Sequence, residues 1–193
     1  MIKFDRESHT FWHGDQILSS VTQRLKGDGL ISTRFYSPDA RERGMLVHTY
    51  TELIDNQIAI SPGELEPYTN AYRDFLAYER PDWIYSEVGV ADVENGYAGI
   101  ADRFGYMHNR SLVLDIKTGA PAKWHWAQLV AYQLAFERFA WDLGTEDPLP
   151  PMTAEAIAIL YLGRNGKYRL KWSDVGSITY LQGLEMWEGS HED

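Results

Sequence analysis

Apolar and polar positions recur with two different periods along this chain, and the changes of period divide it into elements. Phe11 and Trp12 precede His13-Gly14-Asp15, and Ile17-Leu18 follow, which predicts a hairpin. Ser20 is placed to cap a short helix that Gly27-Asp28-Gly29 stops. Ser37-Pro38-Asp39 combines a cap, a first-turn proline and an early acid, so a helix is predicted over residues 40–55. A second helix over 68–78 places Tyr72, Phe75 and Leu76 on one face, and Pro81 lies beyond its end.

The period then shortens to two. Residues 83–90, 97–106 and 111–116 read as three consecutive strands, with turns at Glu94-Asn95-Gly96 and over 107–110. A long helix is predicted over 123–143, where Trp126, Leu129, Val130, Leu134 and Phe136 form a wide apolar side. Residues 156–162 and 168–172 form a further hairpin around Arg164-Asn165-Gly166-Lys167, and a last helix covers 175–187. Helices, three strands, helix, two strands, helix is the order of an α/β sandwich, not of a doubly wound sheet.

Composition narrows the class. The chain has 193 residues, 44% hydrophobic and 24% charged, enough for one domain that buries roughly 70% of its unfolded surface. It has no cysteine, which excludes disulfides, thiolate zinc, iron–sulphur clusters and cysteine nucleophiles. No apolar run approaches the ~20 residues of a membrane helix, and the start lacks the apolar core of a signal peptide, so no membrane partner is expected. A soluble, cytoplasmic, single-domain protein is the expectation.

Charge is uneven. Residues 1–45 carry a net of +1, residues 46–101 a net of −8 and residues 102–193 a net of −3, for −10 in all. Such acidity argues against loose nucleic-acid binding but leaves room for an enzyme whose carboxylates hold metal ions.

The chemistry concentrates in Gly99-Ile100-Ala101-Asp102 and in Asp115-Ile116-Lys117-Thr118-Gly119. On a strand, Asp115 and Lys117 point to one face. Antiparallel pairing of the two strands brings Asp102 near Asp115, and two such carboxylates repel unless protonated or bridged by a cation. Hard oxygen ligands favour Mg²⁺ or Mn²⁺, and a lysine two residues on stands beside a metal-bound water. Gln128 and Tyr132 lie four apart on the following helix, and Arg43-Gly44 leads to His48, an available ligand, in an earlier one. A solvated strand end, a satisfied buried histidine and helix packing are the respective plainer readings.

In order, Arg43-Gly44…His48, Gly99…Asp102, Asp115-Ile116-Lys117-Thr118-Gly119 and Gln128…Tyr132 resemble the PD-(D/E)XK nuclease superfamily, in its RecB-like and phage exonuclease branch. The stretch from His9 to Thr22 is similar to the N-terminal hairpin and helix of such phage nucleases. The resemblance covers about residues 9–135. It implies a restriction-endonuclease-like αβββαβ core, with a mixed central sheet flanked by helices, over residues 37–193, preceded by the hairpin and short helix of 1–36. It implies metal-dependent hydrolysis of DNA from a free end, in phage or prophage recombination, repair or genome processing, with a recombination or replication protein as a further partner. His48, Asp102, Asp115 and Lys117 are the implied catalytic set. The first three, with the Ile116 carbonyl, would hold one or two Mg²⁺ or Mn²⁺ ions, while Gln128 and Tyr132 would support the site or touch DNA. The nominal Pro-Asp is here Ala101-Asp102, and the cysteines of the iron–sulphur members are absent. An endonuclease of the same fold and a non-catalytic DNA-binding or phage–host module are the alternatives.

Glu52 and Glu87 offer an additional ligand, directly or through water, against the reading that each is an exposed carboxylate in the most acidic third. Arg41, Arg43 and Lys123 are the expected phosphate contacts. Trp124-His125-Trp126 offers rings for stacking on a base, with core packing the plainer role for Trp126. The basic run from Arg164 to Lys171 either grips a strand backbone or keeps an edge hairpin soluble.

Overall fold

The structure, a computed structural model, describes residues 2–5, 8–31, 37–150 and 152–189. The N-terminal hairpin forms as expected: β2 (Thr10–His13) and β3 (Gln16–Ser20) pair Phe11 with Leu18 across a Gly14-Asp15 turn, where Gly14 takes φ 59°. A further strand, β1 (Ile2–Asp5), adds to the outside of β2. Helix α1 (Val21–Gly27) starts at a capping box in which the Ser20 hydroxyl accepts from the Gln23 N–H and the Gln23 side chain accepts from the Ser20 N–H.

Helix α2 (Pro38–Asp55) is capped by Ser37, whose side chain accepts from the Ala40 N–H. Helix α3 (Glu66–Glu79) ends on Arg80 in the left-handed region, just before Pro81. The meander β4 (Asp82–Asp92), β5 (Tyr97–Met107) and β6 (Arg110–Lys117) is antiparallel throughout. Helix α4 (Trp124–Arg138) carries the chain to the short β7 (Ala140–Trp141). Strand β8 (Ala156–Leu162) then runs parallel to β6, and β9 (Tyr168–Asp174) returns antiparallel to β8. Helix α5 (Ile178–Glu188) is the last element among the described residues. The result is a mixed central sheet flanked by helices.

Two elements differ from the sequence pattern. The long helix expected over 123–143 stops at Arg138, because Ala140 and Trp141 pair with Val90 and Gly89 of β4. The bare Cα of Gly89 leaves the space that the Trp141 indole fills, so a tertiary contact overrides an apolar run that reads as helix. The last helix begins at Ile178 and not at residue 175. Gly176 turns the chain at φ 83°, and Ser177 supplies the cap.

Apolar residues cover both faces of the sheet, as parallel pairing with a crossover helix requires. Leu112, Leu114 and Ile116 pack toward α2 and α3 with Val47, Tyr72 and Phe75. Val113 and Ile159 pack toward α4 with Leu129 and Val130. The ladder between β5 and β6 is incomplete. Strand β6 pairs with β5 only from Arg103 onward, while β3 occupies the same edge of β5 at Tyr97 and Ala98. The sheet therefore forks over residues 99–102, and the fork is where the polar groups gather.

Candidate functional site

Three elements bring ligand-type side chains to that fork. His48 comes from α2, and its Nδ1 lies 3.3 Å from Asp102 Oδ1 and 3.6 Å from Glu87 Oε1. One ligand atom from each of His48, Glu87 and Asp102 lies within 4.8 Å of the other two. Glu87 reaches them because β4 is irregular there: its backbone takes φ 52°, a left-handed conformation that costs a non-glycine residue on the order of 1 kcal/mol or more. In a regular strand the Glu87 carboxylate would be aimed elsewhere.

Asp102 is fixed from behind. Where the ladder between β5 and β6 ends, its Oδ2 accepts the Ile116 N–H at 2.5 Å, so a side chain replaces a backbone partner. Ile116, whose carbonyl is the expected metal ligand, meets Asp102 through its N–H. Two residues apart on β6, Asp115 and Lys117 form a pair of their own, Nζ to Oδ2 at 2.6 Å. Asp115 is buried and Lys117 partly so, with the ammonium also 5.8 Å from the centre of the Trp124 ring.

The electrostatics separate the two carboxylates. Burial raises Asp115, more than the Lys117 ammonium lowers it, and the charge of Asp102 adds to the rise, taking it to about 6. Burial also works to raise Asp102, but His48, Lys117 and the Ile116 N–H prevail and hold it below the ordinary carboxylate range. Burial alone would discharge His48. Asp102 and Glu87 outweigh that and raise it to about 10, so the proton on His48 supplies the positive charge between the two carboxylates.

Helices α1 and α4 close the far wall. Gln128 Nε2 donates to Tyr132 Oη at 3.0 Å and approaches Thr22 Oγ1 of α1 at 3.2 Å, while Gln128 Oε1 is buried without a partner. The Tyr132 ring occupies the space beside Gly99, where a Cβ would meet Cε1 at 2.5 Å. Burial raises the Tyr132 hydroxyl far above its ordinary value, and Asp115 and Asp102 add to the rise, so it stays a hydroxyl. Gly44 brings α2 beside the end of β6, with Thr118 Oγ1 3.9 Å from where a Cβ would be.

Of the remaining expected residues, Glu52 stays outside the ligand group and lines an acidic cleft beside Glu87. Glu87, for which an exposed carboxylate was the plainer reading, is three-quarters buried, at 26% exposed. Arg41 is exposed and close enough to His9 to depress that ring, after burial has already lowered it. Arg43 lies 6.0 Å over the Tyr68 ring, with its Nε buried and unbonded. Lys123 is exposed and lines a cleft between α4 and α5, on the opposite side from Glu52.

The sequence reading missed Arg103. This arginine is fully buried: Nε donates to Asp55 Oδ2 at 2.7 Å, Nη1 to the Asp102 carbonyl at 2.6 Å and Nη2 to Thr51 Oγ1 at 3.1 Å. Its Nη1 also lies 3.6 Å from Glu87 Oε1, and Tyr72 donates to the same Asp55 carboxylate at 2.8 Å. One guanidinium thus ties α2 to β4 and β5 immediately behind the ligand group. Thr51 and Asp55, three and seven residues after His48, were the available signal.

The donor set fits a hard divalent ion: one imidazole nitrogen and two carboxylates, with Glu87 Oε1 held only by the longer 3.6 Å approaches of His48 and Arg103. No helix among the described residues is long and apolar enough to cross a membrane. No protein-family model matches the chain, and no curated protein matches it. Among solved structures, the crystal structure of SSO0001 aligns with 89% of this chain and 85% of its own, at 15% identity and a TM-score of 0.35. A likeness that distant carries no argument about activity.

Proposed function

We propose that this chain is a metal-dependent deoxyribonuclease of the PD-(D/E)XK type, acting as an exonuclease with Mg²⁺ or Mn²⁺. The observation that supports it is the meeting, in one strand fork, of the His48–Glu87–Asp102 group with the Asp115–Lys117 pair. A bound divalent ion supplies Lewis-acid polarisation of the phosphate and a more acidic water. Asp102, Glu87 and deprotonated His48 would hold it, with Asp115 completing the acidic wall. Lys117 offers its ammonium to the attacking water and to charge gathering on the phosphoryl oxygens. Gln128 and Tyr132 brace the wall, and Arg103 keeps Glu87 and the Asp102 backbone in place.

End-labelled linear DNA and closed circular DNA, each incubated with EDTA, Mg²⁺ or Mn²⁺, test the proposal. The expected result is metal-dependent loss of label from linear DNA while the circle survives. Cleavage of the circle would convert the reading to an endonuclease of the same fold. Intact substrates under every condition would leave a DNA-binding or host-interaction module.

A further inference from the structure

The face of the sheet that carries Lys117 continues past the fork to an exposed edge. Lys117 on β6 lies opposite Tyr161 on β8, and Tyr161 lies opposite Arg169 on β9. In a parallel row, Asp115 aligns with Ile159 and Ile159 with Lys171. Directly paired residues project to one face, so Arg169 and Lys171 point to the side of the sheet that carries Lys117. The Arg169 guanidinium stands 5.5 Å over the Tyr161 ring. Beyond it lies a cleft of about 820 Å³ lined by Lys123, Trp126, Lys171, Trp172 and Met186, with Glu185 as its one described acid. Gly183 lets α5 approach α4 closely enough to form its floor: a Cβ there would meet the Trp126 backbone at 3.2 Å.

The opposite side of the site has the reverse character. A cleft of about 730 Å³ beside Glu87 is lined by Glu52, Asp55, Asp82 and Asp142, with no basic residue among its described lining. A polyanion approaching the fork meets repulsion on one side and cations on the other.

We infer that single-stranded DNA runs from the site over the β8–β9 edge, its phosphates passing Arg169, Lys171 and Lys123 and a base stacking on Trp126. The inference rests on the nuclease reading above and adds the path and strandedness of the substrate. An unpaired strand is specified because an indole in a cleft can stack only on a base whose face is free. The three cations are exposed, so they are available to phosphate and dispensable to folding.

The test is fluorescence anisotropy of a labelled oligothymidylate in Ca²⁺, titrated with salt, for the wild type and for Lys123→Ala/Arg169→Ala/Lys171→Ala. Each phosphate contact on a single strand contributes about 0.7 to the slope of log K against log salt, so the triple variant should be shallower by about 2. It should bind at least about tenfold more weakly, whereas the surface control Arg73→Ala/Arg138→Ala should match the wild type. A 5-iodouracil oligonucleotide should photocrosslink to Trp126. An unchanged slope, or crosslinks mapping to the Glu52 side, would overturn this path while leaving metal-dependent cleavage standing. An oligonucleotide that does not bind in Ca²⁺ and is not cut in Mg²⁺ would remove both readings together.

Discussion

The His48–Glu87–Asp102 group and the Asp115–Lys117 pair lie side by side in one strand fork, yet they are built by opposite means. The first draws its members from α2, β4 and β5, leaves His48 and Glu87 about a quarter exposed, and depends on a buried arginine behind it. The second comes from one strand, two residues apart, with Asp115 buried and Lys117 about a fifth exposed. A group assembled from distant parts of the chain suits holding a removable ion, because a cation can replace the exchangeable proton that His48 holds between its two carboxylates. A charge pair fixed by strand period suits a constant electrostatic task. On the proposed reading, ligand work falls to the first and charge delivery to the second.

Removing the lysine tests that division most severely. Lys117→Ala should lower cleavage by about 10²–10⁴-fold, since positioned proton-transfer groups contribute that much. Calorimetry should find its metal affinity close to wild type. Activity within tenfold of wild type would dismiss the role given to Lys117.

Replacing Arg103 by Met should strike the opposite half. It strips a buried cation from Asp55 and Glu87, and breaking a buried pair costs about 3–5 kcal/mol. Urea unfolding reads the loss directly, and a cost under about 1 kcal/mol would mean the carboxylates find other partners. A smaller effect is expected of His48→Ala, about tenfold to a hundredfold in metal affinity. Imidazole suits Mn²⁺ better than Mg²⁺, so activity should suffer most in limiting Mn²⁺ and recover with excess. Equal stoichiometry and affinity in the variant would make His48 a packing residue.

A last effect, read through pH, concerns the side of the Asp115–Lys117 pair. His125 is buried beside Tyr161 Oη, 2.9 Å away, and burial followed by the Lys117 charge lowers it from 6.5 to about 3. The unfolded chain therefore takes up this proton first, so its contribution is whole above about pH 6.5 and declines as pH falls toward 3. The slope is about 1.4 kcal/mol per pH unit in that window. His125→Gln, which keeps an acceptor for Tyr161, should flatten it. Parallel melting curves for the two proteins from about pH 7 to 5 would contradict the assignment.

The same contrast explains what could be read from the chain beforehand. Asp115-Ile116-Lys117 is a local pattern, and strand period alone places its two charges together. Helix starts at Ser20 and Ser37 were equally local, because a cap is defined by its next three residues. Arg103 was not legible, and Glu87 could be named as an extra ligand but not chosen over Glu52, for the same physical reason: each acts through a tertiary arrangement. The Glu87 carboxylate reaches the group only through its left-handed backbone, and Arg103 looks like any strand charge until α2 covers it. The early end of α4 belongs with these, since only the vacancy at Gly89 reveals that Trp141 joins the sheet.

The Asp102–Ile116 contact has a spectroscopic consequence. A backbone proton held on a carboxylate registers the charge of that carboxylate in its chemical shift and in its exchange with solvent. The Ile116 amide is thus a reporter wired to the centre of the site, reached through the sheet and not through the opening that substrate would use. On the proposed reading, ion entry, proton loss from His48 and arrival of a phosphate would each alter the field at Asp102, so one resonance would follow all three without an added label.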